Sequence, residues 1–369
     1  MRVLVNMPSQ YGGRPSGVAL VVFKLLEELL TLGRHEYVLR SPWSREQLPP
    51  ALAASSLTVV ERPRPRLMIL DTLVEALRMP AICRQLGVDV VLNADPFGAA
   101  RGAKARVTIA HDLYFHTLPE QVGGRATLTM ALAYDLVLNG STRIVTVSDA
   151  TRTDLGHWRP RFGAKARTIH SDAATSPAPA NPARVGPARY VLLVGNATPN
   201  KNFALAARAF AEIRPSFPDL EIVHVGQDGG ETINAELTRL GVDTPVIRLT
   251  NVPDGDLKAL YRDAVAYVAP SLSEGFCLPI LEAQSQDCPV VCSNASALPE
   301  IAGDGALFFA PNDSQALAGH LRSLLETPDL GKALAERGRA NRGRFSWKQS
   351  AVAYERVLED ALAASRRNF

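Results

Sequence analysis

The sequence predicts an α/β protein with two parallel-sheet domains. Short runs rich in Val, Ile and Leu alternate with longer periodic segments, and this alternation occurs in both halves of the chain. The length of 369 residues also exceeds one ordinary hydrophobic core and suits two. We therefore expect Rossmann-like domains at 1–170 and 190–345, a linker at 171–189, and a helical segment at 346–369.

The strands expected in the first half share a short, β-branched and apolar character. They are Arg2–Met7, Tyr37–Arg40, Leu57–Val60, Asp89–Asn93, Arg106–Ala110 and Arg143–Val147. The main helices expected between them are Gly17–Leu32, Leu67–Gln85, Arg125–Asn139 and Asp149–His157. Because strands alternate with helices, the sheet should be mainly parallel.

The second half repeats this plan after a segment, Ser171 to Arg189, that is rich in Ala, Pro and Ser and has no periodicity. The expected strands are Tyr190–Gly195, Glu221–Gly226, Val246–Leu249, Val265–Ala269, Pro289–Ser293 and Ala306–Phe309. Open parallel sheets bind ligands outside the carboxyl ends of their strands. We therefore expect two sheets facing each other across a cleft, with the site in the loops at those ends.

Composition narrows the class of protein. The net charge of +3 conceals a basic first half, in which residues 1–188 carry 22 Lys/Arg against 15 Asp/Glu. That excess suits an anionic acceptor or an anionic membrane surface, and an ordinary soluble basic surface fits equally well. No aromatic and basic interleaving of the RNA-binding kind occurs, so we expect no nucleic-acid partner. No apolar run is long enough to span a bilayer and no signal peptide is evident, which predicts a cytoplasmic protein.

The four cysteines lack the spacing of a zinc site, so we expect buried reduced thiols and no structural metal. Five arginines surround the apolar segment Leu67 to Leu77, namely Arg62, Arg64, Arg66, Arg78 and Arg84. This segment suits either a helix packed in the core or an interfacial amphipathic helix, and we favour core packing.

The most informative stretch runs from Ser273 to Ala283, where a buried strand leads through a loop into a helix with Pro279 in its first turn. Gly275 permits close approach of a ligand. The amides of Phe276, Cys277 and Leu278 are among the unsatisfied N–H groups of the helix start, which favour a diphosphate.

Two carboxylates bracket this stretch. Glu274 ends the loop, and Glu282, one turn into the helix, is placed to accept hydrogen bonds from sugar hydroxyls. An isolated pair of glutamates at this spacing is more often a helix-start acid and a solvated side chain, so the flanking residues decide.

Those residues resemble the donor-site signature of retaining glycosyltransferases of family 4, which have the GT-B fold of two Rossmann-like domains. The resemblance continues through Pro289–Asn294, Ala297–Gly303 and Ala310–Asp313, and departs at Gln286-Asp287-Cys288, where the family usually has small residues and a glycine. It implies that Glu282 holds ribose hydroxyls and Glu274 sugar hydroxyls. It also implies that the last helix, Trp347 to Ala364, crosses back onto the N-terminal domain.

Loops of the first half also resemble the family. In the family the glycine-rich loop after the first strand contacts the donor phosphates or the acceptor, and this favours Gly13 and Gly17 as donor-binding residues here, with Arg14 as a cation. His111, at the end of another strand, resembles a histidine that hydrogen-bonds the donor sugar, although a structural histidine is the commoner case without the resemblance. Ser148 is interpreted as a helix N-cap.

The loop Val194 to Phe203 places Lys201 at a helix start, where its charge can stabilise a diphosphate leaving group. Many family members have an arginine in this loop as well, but Asn196 and Asn200 occupy the corresponding positions here. We count Asn196 among the donor-binding residues. Asp254-Gly255-Asp256 has the D-x-D pattern of metal-dependent transferases, but its context predicts a turn and a helix cap.

The resemblance implies a retaining, metal-independent hexosyltransferase with no cofactor, in which His111, Glu274 and Lys201 are catalytic. The donor would be a nucleoside diphosphate sugar, with GDP-mannose or a GDP-deoxyhexose expected from the likeness to bacterial mannosyl- and rhamnosyltransferases of polysaccharide assembly. The acceptor would be a glycan or a polyprenyl-diphosphate-linked oligosaccharide, and the enzyme would be cytoplasmic or peripheral on the inner membrane face. A nucleotide-sugar epimerase of the same fold and a non-catalytic scaffold partner remain alternatives.

Overall fold

The computed structural model describes residues 1–10, 15–62, 68–173, 179–181, 183–227, 229–242 and 246–366. Two units are distinguished by their internal contacts. Unit 1 comprises Met1–Asp172 and Ser346–Phe369, and unit 2 comprises Ala173–Phe345. The division falls at the start of the predicted linker.

Unit 1 contains a seven-stranded, fully parallel sheet in the order β3-β2-β1-β4-β5-β6-β7. Its strands are β1 (Arg2–Asn6), β2 (Glu36–Ser41), β3 (Thr58–Glu61), β4 (Val90–Asn93), β5 (Ala105–Ala110), β6 (Arg143–Thr146) and β7 (Ala166–Thr168). The central strands are buried almost throughout, as expected for a parallel sheet covered on both faces. The first six strands were predicted. The edge strand β7 was not, because Ala-Arg-Thr carries no apolar run.

The helices of unit 1 are α1 (Gly17–Leu32), α2 (Pro50–Ala53), α3 (Met68–Leu86), α4 (Tyr114–Thr117), α5 (Pro119–Val122), α6 (Gly124–Gly140), α7 (Asp149–Trp158), α8 (Pro160–Gly163) and α16 (Trp347–Arg366). Helix α1 shows why its bounds were predictable. The Ser16 hydroxyl accepts the Ala19 N–H at 3.3 Å, and Gly33 ends the helix in the left-handed conformation with φ 66°.

Helix α16 belongs to unit 1 although it lies at the far end of the chain. It packs against α1, β4 and β5. Its buried side chains recur every three or four residues and include Trp347, Ala351, Tyr354, Leu358 and Ala361. This spacing forms one apolar stripe that covers the sheet.

A buried ion cluster lies beneath the loop that follows β1. The Arg40 guanidinium donates to both carboxylate oxygens of Glu75 at 2.9 Å, and Arg62 Nε donates to the same carboxylate at 2.9 Å. Arg62 also donates to the carbonyl of Pro8. Of the five arginines around Leu67 to Leu77, Arg62 is thus only 6% exposed and shares the Glu75 carboxylate with Arg40 inside the core. Arg64 and Arg66 lie outside the described residues.

Unit 2 contains a six-stranded parallel sheet in the order β10-β9-β8-β11-β12-β13. Its strands are β8 (Tyr190–Val194), β9 (Glu221–Val225), β10 (Ile247–Leu249), β11 (Ala266–Ala269), β12 (Val290–Ser293) and β13 (Ala306–Phe309). Its helices are α9 (Phe203–Ile213), α10 (Gly229–Arg239), α11 (Asp254–Asp263), α12 (Leu278–Gln284), α13 (Leu298–Ala302), α14 (Ser314–Glu326) and α15 (Pro328–Arg342). All six strands were predicted to within one residue at each end.

Asp254 and Asp256 lie in the first turn of α11, as their sequence context predicted. Asp256 accepts the side-chain amide of Asn181 at 2.7 Å, and the backbone N–H of Asn181 donates to Gly255. Asn181, within the predicted linker, is thus bonded to the first turn of α11 in unit 2 through a side-chain carboxylate and a backbone carbonyl.

All four cysteines are buried and unpaired, as predicted. Burial raises the pKa of Cys83 to about 11 and the pKa of Cys288 to about 12. Within the described ranges, no helix combines the length and apolarity that a bilayer crossing requires.

Candidate functional site

The loop after β8 brings a lysine over a glycine. Gly195 has φ 123°, and a Cβ built on it would lie 3.3 Å from Cε of Lys201. A side chain at this position would be strained by the backbone and crowded by the lysine. Because residue 195 is a glycine, Lys201 can lie close against the backbone at the carboxyl end of β8.

Lys201 and Glu274 meet in an ion pair although 73 residues separate them. Lys201 Nζ lies 2.5 Å from Oε1 of Glu274, and the side chains are 18% and 12% exposed. Ser271 Oγ donates to the same carboxylate oxygen at 2.8 Å. The structure thus joins two of the predicted site residues into one partly buried polar cluster.

The backbone around Glu274 is held from two sides. Its carbonyl accepts the Ser296 hydroxyl at 2.8 Å, which ties it to the loop between β12 and α13. The side-chain amide of Asn200 donates to the Ser273 carbonyl at 3.1 Å, and the backbone carbonyl of Asn200 accepts the Leu272 N–H at 2.7 Å. The Ala297 N–H also donates to the Glu274 carbonyl at 3.4 Å, so the motif segment Ala297–Gly303 helps to hold the loop that carries Glu274.

Helix α12 begins at Leu278 with Pro279 in its first turn, as predicted. The preceding Cys277 has φ 76° and ψ 68°, a left-handed conformation that is rare for a residue with a side chain. Its thiol is buried 3.7 Å from the Tyr267 hydroxyl, and burial raises its pKa to about 12. Backbone strain of this kind persists only where the surroundings enforce it, and it is concentrated at functional sites.

The departure from the family pattern at Gln286-Asp287-Cys288 has a structural explanation. The segment follows the end of α12, and Asp287 adopts φ 56°. Aspartate is one of the few residues other than glycine that visit this region, and here it pairs with Arg339 at 2.7 Å. The turn that a glycine usually makes is therefore retained.

Glu282 lies on α12 and is mostly buried. Tyr261, from α11, donates its hydroxyl to Oε2 of Glu282 at 3.0 Å. Burial raises the pKa of Glu282 to about 7, the Tyr261 hydrogen bond opposes that rise, and the nearby charge of Asp254 adds to it. The carboxyl therefore keeps its proton to a higher pH than an exposed glutamate does.

His224, on β9, holds the backbone of the loop Val194 to Phe203, which carries Lys201. It is fully buried, and its Nε2 donates to the Gly195 carbonyl at 2.8 Å. A carbonyl only accepts, so Nε2 carries the proton, and burial lowers the pKa of the ring, which keeps it neutral. His224 therefore fixes the backbone against which Lys201 lies.

The predicted role of Asn196 has no direct support in its contacts. Its side chain is exposed, and Oδ1 accepts the backbone N–H of Gln227 at 3.1 Å. It connects the loops after β8 and β9, and its donor-binding role remains a prediction.

In unit 1, His111 lies at the end of β5 and its Nε2 donates to the Ala94 carbonyl at 2.8 Å. Burial lowers the pKa of His111 to about 4, so the ring is neutral at pH 7. Because Nε2 carries the proton, Nδ1 has a free lone pair and suits a hydroxyl donor.

Ser148 caps α7 through a 3.0 Å bond from the Thr151 N–H, as predicted.

The loop after β1 is anchored at its described beginning. Ser9 Oγ donates to Asp95 at 2.5 Å, and burial raises the pKa of that carboxyl to about 6. Gly13 and Arg14 lie outside the described residues. Gly17 is the first residue of α1, and a Cβ built on it meets no atom within 4 Å. Packing among the described residues therefore does not require glycine at 17.

Chemically, the unit 2 cluster offers a cation, a carboxylate and a second carboxyl on the following helix. A cation stabilises the charge that develops on a departing diphosphate, and carboxylates orient hydroxyl groups.

Comparison with known proteins identifies the family. The model for "Glycosyltransferase Family 4" matches residues 15–171, and the model for "Glycosyl transferases group 1" matches residues 178–341. O-antigen chain mannosyltransferase B of Escherichia coli is 31% identical over 275 residues, which cover 70% of this chain and 71% of that protein. The chain belongs to glycosyltransferase family 4.

Another relative of this family-4 chain matches over a shorter stretch. D-inositol 3-phosphate glycosyltransferase of Segniliparus rotundus is 34% identical over 58% of this chain, and the match spans 45% of that protein. Among solved structures, sucrose-phosphate synthase from Thermosynechococcus elongatus has a TM-score of 0.78 at 19% identity, covering 99% of this chain and 100% of that one. HepE of Anabaena, in complex with UDP and glucose, has a TM-score of 0.74 at 18% identity, covering 96% and 99%. These likenesses establish the GT-B fold, as predicted.

Sequence reasoning missed three residues of the family-4 site. Ser271 had a weak signal, because a hydroxyl three residues before a glutamate can reach it across a turn. Tyr261 and His224 had none, because their partners lie 21 and 29 residues away and only the fold brings them together.

Proposed function

We propose that this family-4 glycosyltransferase is a retaining hexosyltransferase that uses a nucleoside diphosphate sugar, with GDP-mannose as the expected donor. The Lys201–Glu274 ion pair carries this proposal. Lys201 Nζ lies 2.5 Å from Oε1 of Glu274, and a cation beside a carboxylate supports binding of a diphosphate next to sugar hydroxyls. The E. coli relative, named as an O-antigen chain mannosyltransferase, supports mannose as the sugar.

Each residue has a role in holding the donor. Lys201, with the backbone amides of Phe276, Cys277 and Leu278, binds the diphosphate. Glu274 accepts hydrogen bonds from the hexose hydroxyls, and Glu282 accepts them from the ribose. His111, with its unprotonated Nδ1, accepts a sugar hydroxyl. Gly275 and Gly17 leave room for the ligand, and Gly13, Arg14 and Asn196 complete the proposed donor-binding set.

Transfer proceeds on one face of the sugar. The bond between the anomeric carbon and the diphosphate oxygen breaks, and its electron pair leaves with the diphosphate. The acceptor hydroxyl oxygen bonds to the same carbon, and its proton passes to the departing phosphate oxygen. Lys201 stabilises the growing phosphate charge, so the reaction is expected to proceed unchanged with EDTA present.

The acceptor is expected to be a glycan or an oligosaccharide on a polyprenyl diphosphate, in bacterial surface polysaccharide synthesis. The excess of positive charge in residues 1–188 supports an anionic acceptor, since this segment has 22 Lys/Arg and only 15 Asp/Glu. A lipid-linked acceptor places the reaction at the inner face of the cell membrane.

Thermal-shift measurements with UDP, GDP, ADP and their sugars test the donor. A ligand that binds only the folded state raises the melting temperature, so GDP and GDP-mannose should give the largest rises. A rise with UDP-glucose but none with GDP-mannose would contradict this choice.

Product analysis separates transfer from isomerisation. Incubation with the donor and a lipid-extract acceptor should yield the nucleoside diphosphate and a glycosylated acceptor with the donor's anomeric configuration. Conversion of the donor into an isomer without acceptor would support an epimerase instead. Binding with neither transfer nor slow donor hydrolysis would support a scaffold partner.

A further inference from the structure

Tyr261 is a tyrosine whose ring and hydroxyl both lie inside unit 2. The residue is 1% exposed, and its hydroxyl donates to Oε2 of Glu282 at 3.0 Å. Burial raises the pKa of Tyr261 well above its usual range, and the charge of Glu282 adds to the rise. The phenol therefore keeps its proton and acts as the hydrogen-bond donor to the carboxylate.

The position of this hydroxyl is fixed by the packing around it. The ring of Tyr261 meets the ring of Tyr267, on β11, edge to face with centroids 5.7 Å apart. The preceding residue, Leu260, is fully buried, and its carbonyl accepts the hydroxyl of Tyr190, on β8, at 2.7 Å. These contacts with two strands hold α11, and with it the Tyr261 hydroxyl, in place.

Glu282 itself can be reached by a ligand. The residue is partly exposed, and its second carboxylate oxygen, Oε1, receives no hydrogen bond from the described residues. A carboxylate has about four lone-pair sites, two on each oxygen, and Tyr261 occupies one of them. The tyrosine thus holds the group through Oε2 and leaves Oε1 for a hydroxyl donor.

The two glutamates of the site are held in different ways. Glu274 pairs with Lys201, whereas in the described part of the chain no lysine or arginine forms an ion pair with Glu282. A neutral phenol leaves the charge of an ionised carboxylate in place, and a charged acceptor binds a hydroxyl more strongly than a neutral one does. This arrangement suits a ligand that brings hydroxyl groups and no positive charge, as a ribose does.

Helix α11 also controls the ionisation of Glu282. Burial raises the pKa of Glu282, the Tyr261 hydrogen bond opposes that rise, and the charge of Asp254 adds to it. The thiols of Cys277 and Cys288 lie near the tyrosine, and burial raises the pKa of each to about 12, so both are neutral. Tyr261 is therefore the group in contact with Glu282 that favours its ionised form.

Titratable groups on other elements packed against α12 have other partners or are neutral. Arg342, on α15, donates to a serine hydroxyl at the end of α12 at 3.1 Å. The Tyr267 hydroxyl, on β11, lies 3.7 Å from the Cys277 sulfur, and burial raises the pKa of Cys292, on β12, well above its usual range. The pH response of Glu282 is therefore set mainly from α11.

We propose that Tyr261 is a positioning residue for nucleotide binding, which holds the Glu282 carboxylate so that Oε1 accepts hydrogen bonds from the ribose hydroxyls. The inference rests on the proposed function, since it takes Glu282 as the ribose-binding carboxylate. An unrestrained glutamate loses rotamer freedom when it binds a ligand, and a side chain ordered beforehand does not. The nucleotide therefore meets a carboxylate that is already in place.

Calorimetric titration of the full chain with GDP and with 2′,3′-dideoxy-GDP tests the proposal. Tyr261→Phe should weaken GDP about tenfold, because it removes a hydrogen bond to a charged group. It should change the affinity for the dideoxy nucleotide less than about twofold, because that ligand has no ribose hydroxyl for Glu282 to bind. A merely structural role would weaken both nucleotides equally. UDP or ADP, with its dideoxy form, replaces GDP if the thermal-shift series selects it.

The pH dependence gives a second readout. Wild-type affinity for GDP should rise as pH increases through about 7, because Glu282 loses its proton there. In Tyr261→Phe this rise should occur at higher pH, because the hydrogen bond that favours the ionised carboxylate is absent. The dideoxy nucleotide has the same diphosphate and should show no such difference. In initial-rate measurements the KM for GDP-mannose should rise while kcat stays the same.

Tyr190→Phe is the matched control. It removes another buried tyrosine hydroxyl that is bonded to α11, but the partner of that hydroxyl is the Leu260 carbonyl and not Glu282. This variant should bind GDP as the wild type does, with the same pH dependence. Circular dichroism should show that both tyrosine variants fold.

Two results with Tyr261→Phe would overturn the proposal. One is equal weakening of GDP and the dideoxy nucleotide, and the other is wild-type GDP affinity with an unchanged pH dependence. If Glu282→Gln weakens GDP and Tyr261→Phe does not, the inference fails and the proposed function stands. If Glu282→Gln leaves GDP binding unchanged, the proposed ribose contact fails and this inference fails with it.

Discussion

At the scale of single residues, the Lys201–Glu274 ion pair is the central feature of the proposed donor site. The two charges neutralise each other at 2.5 Å, and Ser271 adds a hydrogen bond to the same carboxylate oxygen. A diphosphate that binds Lys201 must share it with Glu274, and the sugar hydroxyls must then satisfy the carboxylate. Lysine and glutamate should therefore contribute differently to the nucleotide and to the sugar.

We predict that Glu274→Gln and Lys201→Met separate these contributions. Lys201→Met should weaken both GDP and GDP-mannose, because the diphosphate is common to them. Glu274→Gln should retain GDP binding and lower donor turnover by about 10²-fold or more, since it removes a charged contact to the sugar. Calorimetric titration and initial rates measure both effects.

Lys332→Met is the control for this pair of variants, because Lys332 forms an exposed ion pair with Asp329 in the same unit. It should change neither binding nor rate. Wild-type turnover by Glu274→Gln would refute the assignment.

Glu282 provides a prediction about pH. Its pKa is raised from an ordinary 4.5 to about 7, so the folded state holds this proton more tightly than the unfolded state. The resulting stabilisation is complete below about pH 4.5 and is lost as pH rises through 7, amounting to about 3 kcal/mol at most. Urea unfolding at a series of pH values should show the wild type losing stability relative to Glu282→Gln across that window. Parallel curves for the two proteins would show that the carboxyl is not perturbed.

At the scale of elements, the carboxyl ends of β8 and β9 hold the loop that carries Lys201. His224 on β9 holds the Gly195 carbonyl at the end of β8, and the conformation of Gly195 lets Lys201 lie against it. Gly226 is equally constrained, since a Cβ there would lie 2.1 Å from the Gly195 carbonyl oxygen. The position of one cation thus depends on the close packing of two neighbouring strand ends.

We predict that His224 acts through Lys201. His224→Leu should weaken GDP binding several-fold, because the Gly195 peptide loses its anchor. The same substitution made in Lys201→Met should have little further effect, so the double-mutant cycle should show coupling. His224→Gln, which retains an N–H donor, should restore part of the binding. Additive losses in the cycle would mean that His224 contributes to stability alone.

At the scale of the whole molecule, the chain builds unit 1 from its two ends. Residues Met1–Asp172 supply the sheet, and Ser346–Phe369 return after all of unit 2 to supply α16. All three tryptophans, Trp43, Trp158 and Trp347, belong to unit 1. Tryptophan fluorescence therefore reports the unfolding of this unit selectively.

We predict that Leu358→Ala destabilises unit 1 through the sheet that α16 covers. Leu358 is fully buried, and truncation of such a leucine costs about 2–5 kcal/mol. The midpoint of the fluorescence transition in urea should fall accordingly. Asp360→Ala, on the exposed side of the same helix, should leave the midpoint unchanged. An unchanged midpoint for Leu358→Ala would mean that α16 contributes little to unit 1.

Local chemistry explains what could be predicted. The strands of both sheets, the bounds of α1 and the start of α12 follow from apolar runs, a serine cap and a proline in the first turn. Glu274 and Glu282 were predicted because they lie in the long motif that begins at Ser273, and Lys201 because it lies at a helix start in the loop Val194 to Phe203. The bounds of β7 were not predictable, since a three-residue edge strand is defined by its pairing with β6 and not by its own residues.

The sequence by itself determined the α/β class and the family and predicted the chemical groups of the candidate site, because these depend on periodicity and on residues close together along the chain. Only the tertiary structure decided that Lys201 pairs with Glu274, that Arg62 shares Glu75 with Arg40, and that leucines of α3 and α6 remain exposed. Contacts between distant segments, and the side of a helix that stays uncovered, are set by how the strands are ordered in the sheet. No local pattern specifies that order, so burial and pairing at these positions had to be read from the fold.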